Sequence, residues 1–313
     1  EPGVLRYGLR SLLDPGAPLH VPATPDPGLW SFLLRFAANC TWRSWGRAVR
    51  ANLAFNEECL EAFDYLTSNG VEAPTIEAPI TAAFETERQA AALLHELKRI
   101  NESGMRIEYA ALTGDELRSR VPQISTQVRA GVRLDGQRYV DPGRFTHALA
   151  ESVTARGGTI RSGFEVTEIR PALNGILVRS TGDETIKADV VVVATGAWLN
   201  RLGKELGVRV PVRAGRGYSF TVPTDKPVPG PIYLPAVRVA CTPYQGKLRV
   251  AGTMEFRGPD DPLVQRRIDA IIKSARPLLT GVDWNGITDM WVGPRPVSPD
   301  GRPLVGATRV PGV

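Results

Sequence analysis

The chain has 313 residues, of which 42% are hydrophobic and 23% are charged, and its formal net charge is +5. This composition is ordinary for a globular protein with a sizeable core. No apolar run is longer than that from Val190 to Ala194, which is too short to span a membrane. Lys and Arg are scattered along the sequence, which argues against nucleic-acid binding. The excess of positive charge favours an anionic substrate or a membrane surface as the binding partner.

The cysteine and histidine pattern argues against a structural metal site. Cys40, Cys59 and Cys241 are far apart, no Cys-x-x-Cys occurs, and the three histidines are equally dispersed. We expect free, mostly buried thiols in a reducing compartment, which is the cytoplasm. The chain begins at Glu1 and stops at Val313 within an apparent loop, so we expect a fragment that is cut at both ends.

The first third of the chain is predicted to be mainly helical. Residues 1–30 are rich in Pro and Gly and predict an irregular lead-in. Apolar residues at helical spacing then run from Trp30 to about Gly70. The segment Ile76 to Phe84, interrupted by Pro79, predicts a pair of strands, and a run of leucines predicts a second long helix that ends near Gly104.

The next elements carry capping signals. Leu112 to Pro122 is predicted to be a short helix in which Thr113 and Glu116 form a capping box. Strand-like alternation follows from Arg129 to Tyr139. Asp141-Pro142 is the start of another helix, because it places an Asp cap before a Pro at the first helical position, and Gly157-Gly158 ends that helix.

The clearest local α/β signal lies near residue 195. Thr159 to Ile169 predicts strands, and the segments on either side of Gly182-Asp183 predict a hairpin. Asp189 to Thr195 then reads as a buried strand, with Gly196 as the turn and Ala197 to Leu206 as a helix.

The last part of the chain predicts a meandering sheet from Val208 to Phe256, a capped helix that opens at Asp261-Pro262, and a strand from Trp284 to Arg295. The element order predicts a mixed α+β and α/β protein. A mixed sheet carrying helices is interleaved with pieces of a second, Rossmann-like nucleotide-binding domain.

Several stretches carry a family resemblance. They are the Pro25–Asn56 segment, RYVDPGRFTHALAESVTARGGTIRSGFEVTEI with ADVVVVATGAW, GRGYSFT, LRVAGTMEF and WVGPRPVSPDGRPLVG. Together they resemble the D-amino acid oxidase superfamily of FAD enzymes, with ATGAW and RP-x-x-P-D-G-x-P-x-x-G as the most specific parts. The sequence contains no G-x-G-x-x-G; the nearest approach, at Gly215 and Gly217, has Phe220 in the third glycine position.

The resemblance implies a division of the chain and an activity. Residues 1–136 and 207–296 would form the substrate domain, and residues 137–206 and 297–313 a partial FAD-binding domain. The implied reaction dehydrogenates D-amino acids to 2-oxo acids and ammonia, with hydride transfer to flavin N5 and a quinone or oxygen as electron acceptor. A sarcosine, glycine or hydroxyproline oxidoreductase and a non-catalytic, flavin-less fragment are the alternatives.

Arg295 is the first candidate site residue. A substrate carboxylate needs a planar cationic fork, which arginine supplies, and the resemblance implies that Arg295 holds that carboxylate. A surface salt bridge is the competing interpretation. By the same resemblance Tyr218 passes near the flavin, while Tyr233 and Tyr244 are candidates for the substrate pocket; each is also compatible with a sheet tyrosine that has an exposed tip.

The resemblance also implies cofactor contacts. The turn of Thr195, Gly196 and Trp198 would lie against FAD, with Val166 beside the adenine. Gly252 would give clearance near the ring, and Gly301 precedes the segment under the flavin. A turn that needs glycine for its own geometry is the alternative at Gly196.

One aromatic and basic region admits two interpretations. Trp30, Phe32, Phe36, Trp42 and Trp45 lie close to several arginines. The region is either ordinary core with a solvated face, which we favour, or an element that binds peripherally to the inner face of a membrane.

Overall fold

The computed structural model describes residues 17–22 and 24–313, so most of the predicted lead-in lies outside the described residues. The helices are α1 (Pro27–Asn39), α2 (Trp42–Ser68), α3 (Glu87–Glu102), α4 (Gly114–Arg120), α5 (Pro142–Ala155), α6 (Leu199–Gly203) and α7 (Gln265–Ala275). The strands are β1 (Leu19–His20), β2 (Ile76–Glu77), β3 (Ile80–Phe84), β4 (Tyr109–Thr113), β5 (Ala130–Leu134), β6 (Arg138–Tyr139), β7 (Val166–Ala172), β8 (Gly175–Ser180), β9 (Thr185–Ala188), β10 (Arg213–Val222), β11 (Ile232–Leu234), β12 (Val239–Tyr244), β13 (Lys247–Phe256) and β14 (Thr288–Val297).

A mixed sheet of nine strands dominates the described part of the chain. Its order is β14-β10-β13-β12-β11-β3-β5-β4, and β1 pairs in parallel with β13. The pairs β10–β13, β12–β13 and β10–β14 are antiparallel, whereas β11 and β3 are parallel. A separate antiparallel sheet contains β7, β8 and β9. The expected mixed sheet with helices is therefore confirmed.

The largest core cluster lies between one face of this sheet and α7. Phe220, Val250 and Leu248 of the sheet are fully buried with Ile268 and Ile271 of the helix. A second cluster packs α3 against β3 and β5. The opposite face of β10, β13 and β12 is left for the cavity described below.

Two of the three capping predictions are confirmed, those at Thr113 and Asp141. Thr113 and Glu116 form the reciprocal capping box at α4. Asp141 caps α5, since its carboxylate accepts hydrogen bonds from the backbone N–H groups of Gly143 and Arg144 at 3.0 and 3.1 Å. The hairpin of β8 and β9 forms as predicted. Both strands beside Pro79 are present, but they pair with other strands, β2 with β6 and β3 with β5 and β11.

The predicted helix from Trp30 to Gly70 is in fact two helices. The chain leaves α1 at Cys40, and Thr41 begins α2 with its side chain accepting a hydrogen bond from the N–H of Ser44. Threonine is a good N-cap because its hydroxyl satisfies a free helix N–H. The apolar periodicity continues across this break and does not reveal it.

The predicted buried strand at Asp189–Thr195 is wrong. No described strand pairs with this segment, and the N–H of Val191 donates to the carbonyl of Gly312. Val191 and Val193 pack inward, whereas Val190 and Val192 are 68% and 85% exposed. The helix predicted after it is shorter than expected, a 3₁₀ turn followed by α6.

Two other predicted boundaries are also wrong. Residues 159–165 form no strand, and β7 begins only at Val166. The helix expected at Asp261-Pro262 begins instead at Gln265, with Val264 as N-cap and no side-chain cap. Asp261 hydrogen-bonds through its N–H to the carbonyl of Gly258, so the local turn takes precedence over the capping signal.

Candidate active site

A cavity of about 360 Å³ opens on the face of the sheet that is turned away from α7. Its lining is mostly apolar and is formed by Pro18, Leu19, Phe36, Tyr233, Arg238, Ala240, Ala251, Gly252, Thr253, Met254, Phe256 and Arg295. Small apolar cavities with a few convergent polar groups are typical of sites for small molecules.

The cavity has space above the sheet because small side chains lie opposite each other on neighbouring strands. Ala251 of β13 lies opposite Ala240 of β12, which in turn lies opposite Tyr233 of β11. Side chains that are directly opposite in neighbouring strands share a face, so two methyl groups form the floor and a phenol stands at one side.

Gly252 lines the cavity only through its backbone. A Cβ added there would lie 3.1 Å from the side chain of Ile271 and 3.2 Å from that of Val239, both on the core side of the sheet. The close approach that requires a glycine at this position is therefore that of α7, rather than clearance on the cavity side.

A β-bulge in β13 shapes the wall of the cavity. The register between β10 and β13 shifts between Arg216 and Tyr218, so that Gly217 faces two residues, Thr253 and Met254. Thr253 adopts a φ of 62°, which is uncommon for a β-branched residue.

Arg295 extends into the cavity across Gly217. A Cβ added to Gly217 would lie 2.6 Å from Nη2 of Arg295 and 2.8 Å from its Cζ, so the glycine leaves the space that the guanidinium occupies. Among the described residues no acceptor or carboxylate pairs with the Arg295 side chain, which is exposed towards the cavity. The competing interpretation, a surface salt bridge, would need a carboxylate partner for Arg295, and the described part of the chain supplies none.

The turn at Thr195–Trp198 packs beside the end of β14. Gly196 has a φ of 54°, and a Cβ added there would lie 4.0 Å from Pro296, the residue after Arg295. The buried hydroxyl oxygen of Thr195 has no hydrogen-bond partner among the described residues. A buried polar atom of this kind usually serves a ligand or water.

Asp260 holds the outer side of the Thr195–Trp198 turn. The indole N–H of Trp198 donates to Asp260 at 2.9 Å, and Arg201 of α6 forms an ion pair with the same carboxylate. These contacts connect the turn to the loop after β13. The predicted cofactor turn and Arg295 thus lie at the same end of the sheet.

Tyr218 lies on the opposite face from the cavity. Its side chain is 1% exposed in the core against α7, and its hydroxyl donates to Oε2 of Glu255 at 2.6 Å. Burial raises the pKa of Tyr218 to about 12, and the hydrogen bond to Glu255 adds to this effect. The phenol is therefore a neutral donor in a buried network, and the structure does not bring it to the cavity.

Glu255 is surrounded by positive charge. Nε of Arg267 lies 3.4 Å from its Oε1, Nε of Arg257 lies 3.3 Å from the same atom, and Nε2 of His20 lies 4.0 Å away. Arg267 and Glu255 are both essentially unexposed. Burial lowers the pKa of Arg267, an effect that Glu255 opposes, and burial with the charge of Arg267 lowers the pKa of His20.

The remaining predicted site residues do not line the cavity. Tyr244 lies at a polar surface groove beside Asp141 and His147. Val166 packs in the cluster around β7 and β8, and Gly301 is an exposed turn glycine with a φ of 71°. No group of three or more metal-ligating side chains occurs within residues 17–22 and 24–313.

Several lining residues were missed by the sequence analysis. Thr253 forms the bulge opposite Gly217, while Met254, Phe256 and Phe36 form an apolar wall. One signal was present: Gly215 and Gly217 stand two apart in a strand, which indicates a close approach on one face. The same alternation places Tyr218 on the other face.

A family model described as DAO, FAD dependent oxidoreductase, matches residues 3–313. The chain therefore belongs to the DAO family of FAD-dependent oxidoreductases, as the motifs in the sequence imply.

Individual relatives agree with this assignment. The chain is 27% identical over 314 residues to a D-amino acid dehydrogenase of Vibrio vulnificus (strain YJ016), covering 98% of this chain and 75% of that protein. It is 29% identical over 316 residues to a D-amino acid dehydrogenase of Xanthobacter autotrophicus, covering 99% and 75%. The fold is similar to that of glycine oxidase from Geobacillus kaustophilus, with a TM-score of 0.70, 23% identity, and coverage of 81% of this chain and 68% of that one.

The residues present fit a flavin. The low, apolar floor beside Ala240 and Ala251 suits a planar ring, and the orphaned Thr195 hydroxyl with the open backbone at Gly196 suits a polar part of the cofactor. Arg295 supplies positive charge to the same cavity.

Proposed function

We propose that the cavity binds a small amino acid and that the protein dehydrogenates D-amino acids to 2-oxo acids and ammonia. The single observation that carries this proposal is the Arg295 guanidinium, which extends into an apolar cavity without a carboxylate partner among the described residues. An uncompensated cation at such a site favours an anionic ligand.

Each part of the cavity has a separate task in this proposal. The planar fork of Arg295 holds the substrate carboxylate bidentately, which fixes the position of the Cα–H. The apolar wall of Phe36, Met254 and Phe256 contacts the substrate side chain and excludes water. Bound FAD would supply N5 as the acceptor for the Cα hydride. Loss of this hydride and of an amine proton converts the amino acid to an imine, which water hydrolyses to the 2-oxo acid and ammonia.

The cofactor contacts and the domain division belong to the same proposal. Thr195, Gly196 and Trp198 would hold FAD, with Val166, Gly252 and Gly301 as further positions implied by the family motifs. Residues 1–136 and 207–296 would form the substrate domain, and residues 137–206 and 297–313 would contribute to the FAD-binding domain. A quinone or oxygen would take the electrons from the reduced flavin.

A peripheral contact with the inner face of the membrane is proposed for α1 and α2. Phe32 is fully buried and Phe36 packs against the same cluster, as ordinary core residues do, whereas Trp30 and Trp42 are 43% and 45% exposed. Arg99 stacks 4.3 Å over the ring of Trp42. No helix within the described ranges is long and apolar enough to cross a bilayer. Sedimentation with anionic liposomes at low salt tests this contact, and a protein that stays in the supernatant would refute it.

The proposed activity is tested by turnover of the FAD-loaded protein with a dye acceptor. The panel contains D-amino acids, their L-enantiomers, glycine, sarcosine and hydroxyproline. Arg295→Ala should raise KM by the equivalent of about 2–4 kcal/mol of binding. The control is Arg88→Ala, at an exposed arginine on α3. An unchanged KM for Arg295→Ala would remove this residue from the site, and turnover of sarcosine or glycine alone would replace the proposed substrate class.

A further inference from the structure

The buried network around Glu255 lies directly behind the cavity wall, and the proposed mechanism does not use it. Glu255 is 1% exposed, accepts the Tyr218 hydroxyl, and pairs with the fully buried Arg267. Arg216, which stands opposite Glu255 on β10, is also fully buried. Buried ionic groups are costly unless they are paired, so this arrangement calls for an explanation.

The bulge at Thr253 determines which side chains of β13 face the cavity. Before the bulge, Ala251 faces the cavity while Val250 packs in the core against α7. Because side chains alternate along a strand, an unbroken strand would continue with Glu255 towards the cavity and Met254 towards the core. After the bulge the order is reversed, and Met254 with Phe256 lines the cavity.

The unbulged arrangement is a credible competitor. It would relieve the positive φ of Thr253 and would turn Met254 and Phe256 towards α7, away from their present cluster with Leu29 and Phe32. It would also turn the Glu255 carboxylate towards Arg295. There the carboxylate would pair with the guanidinium that is proposed to bind the substrate carboxylate. Some interaction has to favour the bulge, and the contacts of Glu255 with Tyr218 and Arg267 are formed only when Glu255 faces α7.

We propose that Glu255 is a positioning residue: its buried carboxylate, held by Tyr218 and Arg267, fixes the Thr253 bulge and so turns Met254 and Phe256, rather than an acid, towards the cavity of Arg295. The value of leaving Arg295 free for a substrate rests on the proposed function. The effect of Glu255 on which side chains of β13 face the cavity does not.

Which side chains of β13 face the cavity can be measured without flavin or substrate. Met254→Cys is introduced together with Cys59→Ser, which removes the exposed native thiol, and the rate of labelling by a small thiol reagent is measured. Adding Glu255→Gln should slow labelling about tenfold, because the introduced thiol turns into the core and reacts only on local opening. The control is Asp269→Asn, which removes an exposed acid from α7 and should leave the rate unchanged.

Three outcomes are informative. Slow labelling with folding retained supports the proposal, and Tyr218→Phe should give the same change in a weaker form. A labelling rate for Glu255→Gln within about twofold of its parent would overturn it. If Glu255→Gln unfolds the protein, labelling becomes faster, and the decision passes to Tyr218→Phe, where an unchanged rate overturns the proposal.

A kinetic readout separates positioning from general destabilisation. In the FAD-loaded protein, Glu255→Gln should raise KM for the substrate roughly 10–100-fold, more than it lowers kcat, because the cavity wall is misplaced. Ile268→Val, which loosens the same core without touching the network, should lower thermal stability and leave KM unchanged. Equal KM shifts in both variants would reduce Glu255 to a stability role. Failure of the wild-type protein to turn over would refute the proposed function and leave the labelling result standing.

Discussion

Substitution of Gly217 by alanine tests the position of Arg295 without removing the guanidinium. The added Cβ would lie 2.6 Å from Nη2, 2.8 Å from Cζ and 3.1 Å from Nη1 of Arg295, whereas ordinary van der Waals contact begins near 3.4 Å. The guanidinium therefore has to move by roughly 1 Å. The backbone tolerates the change because Gly217 does not have a positive φ.

The expected effect is large on binding and small on stability. A displacement of about 1 Å at a substrate-orienting group can cost about 100-fold in kcat/KM, which corresponds to about 2.7 kcal/mol. Arg295 is exposed and has no ion-pair partner in the part of the chain that the structure describes, so its movement breaks no internal contact. We expect the melting temperature of Gly217→Ala to stay within a few degrees of wild type.

The assay is steady-state turnover of the FAD-loaded protein, with calorimetric titration of a small carboxylate such as propionate as an independent measure of binding. Gly182→Ala is the matched control, because its added Cβ would meet only the Ser180 hydroxyl at 3.8 Å. If Gly217→Ala binds propionate and substrate as tightly as the wild type while its stability is unchanged, then Arg295 does not act on the carboxylate from this position.

Three further predictions concern pH, thiol reactivity and capping. Burial and Arg267 lower the pKa of His20 below 6.5, so on acidification the unfolded chain takes up a proton before the folded one. The free energy of unfolding should fall as pH drops through 6.5. In His20→Gln the melting temperature should depend less on pH between 6.5 and the lower pKa of the folded state; a pH profile identical to that of the wild type would contradict this. Thiol titration of the native protein should detect Cys59 quickly and Cys241 only on unfolding, because burial raises the pKa of Cys241 to about 12; rapid reaction of Cys241 would show that the core opens. Asp141→Ala should destabilise the protein by about 1 kcal/mol in urea unfolding, since it removes two hydrogen bonds to the start of α5; no change would mean that solvent replaces the cap.

Local chemistry explains which elements were predictable. The capping box of α4 and the Asp-Pro start of α5 are decided by groups within four residues of one another, and they form as expected. The break at Thr41 and the exposed valines at 190 and 192 depend on what packs against the segment, which periodicity does not contain. The family motif led to Arg295, and the structure places it in the cavity.

The rest of the site depends on contacts between distant strands. Both faces of β10 are buried, so alternation alone does not say which face carries the cavity and which face, that of Tyr218, packs in the core. The bulge opposite Gly217 arises from pairing between β10 and β13, which lie about 35 residues apart in the sequence. Met254 and Phe256 enter the cavity only because of that pairing.

The residue proposed to hold the substrate stands on an outer strand of the sheet. β14 pairs only with β10 among the described strands, and Arg295 lies between Pro294 and Pro296. Proline has no N–H, so Pro294 and Pro296 offer no donors to a further strand. An unpaired edge is normally open to pairing with another chain. The two prolines therefore disfavour strand-to-strand association at the part of the edge that carries Arg295.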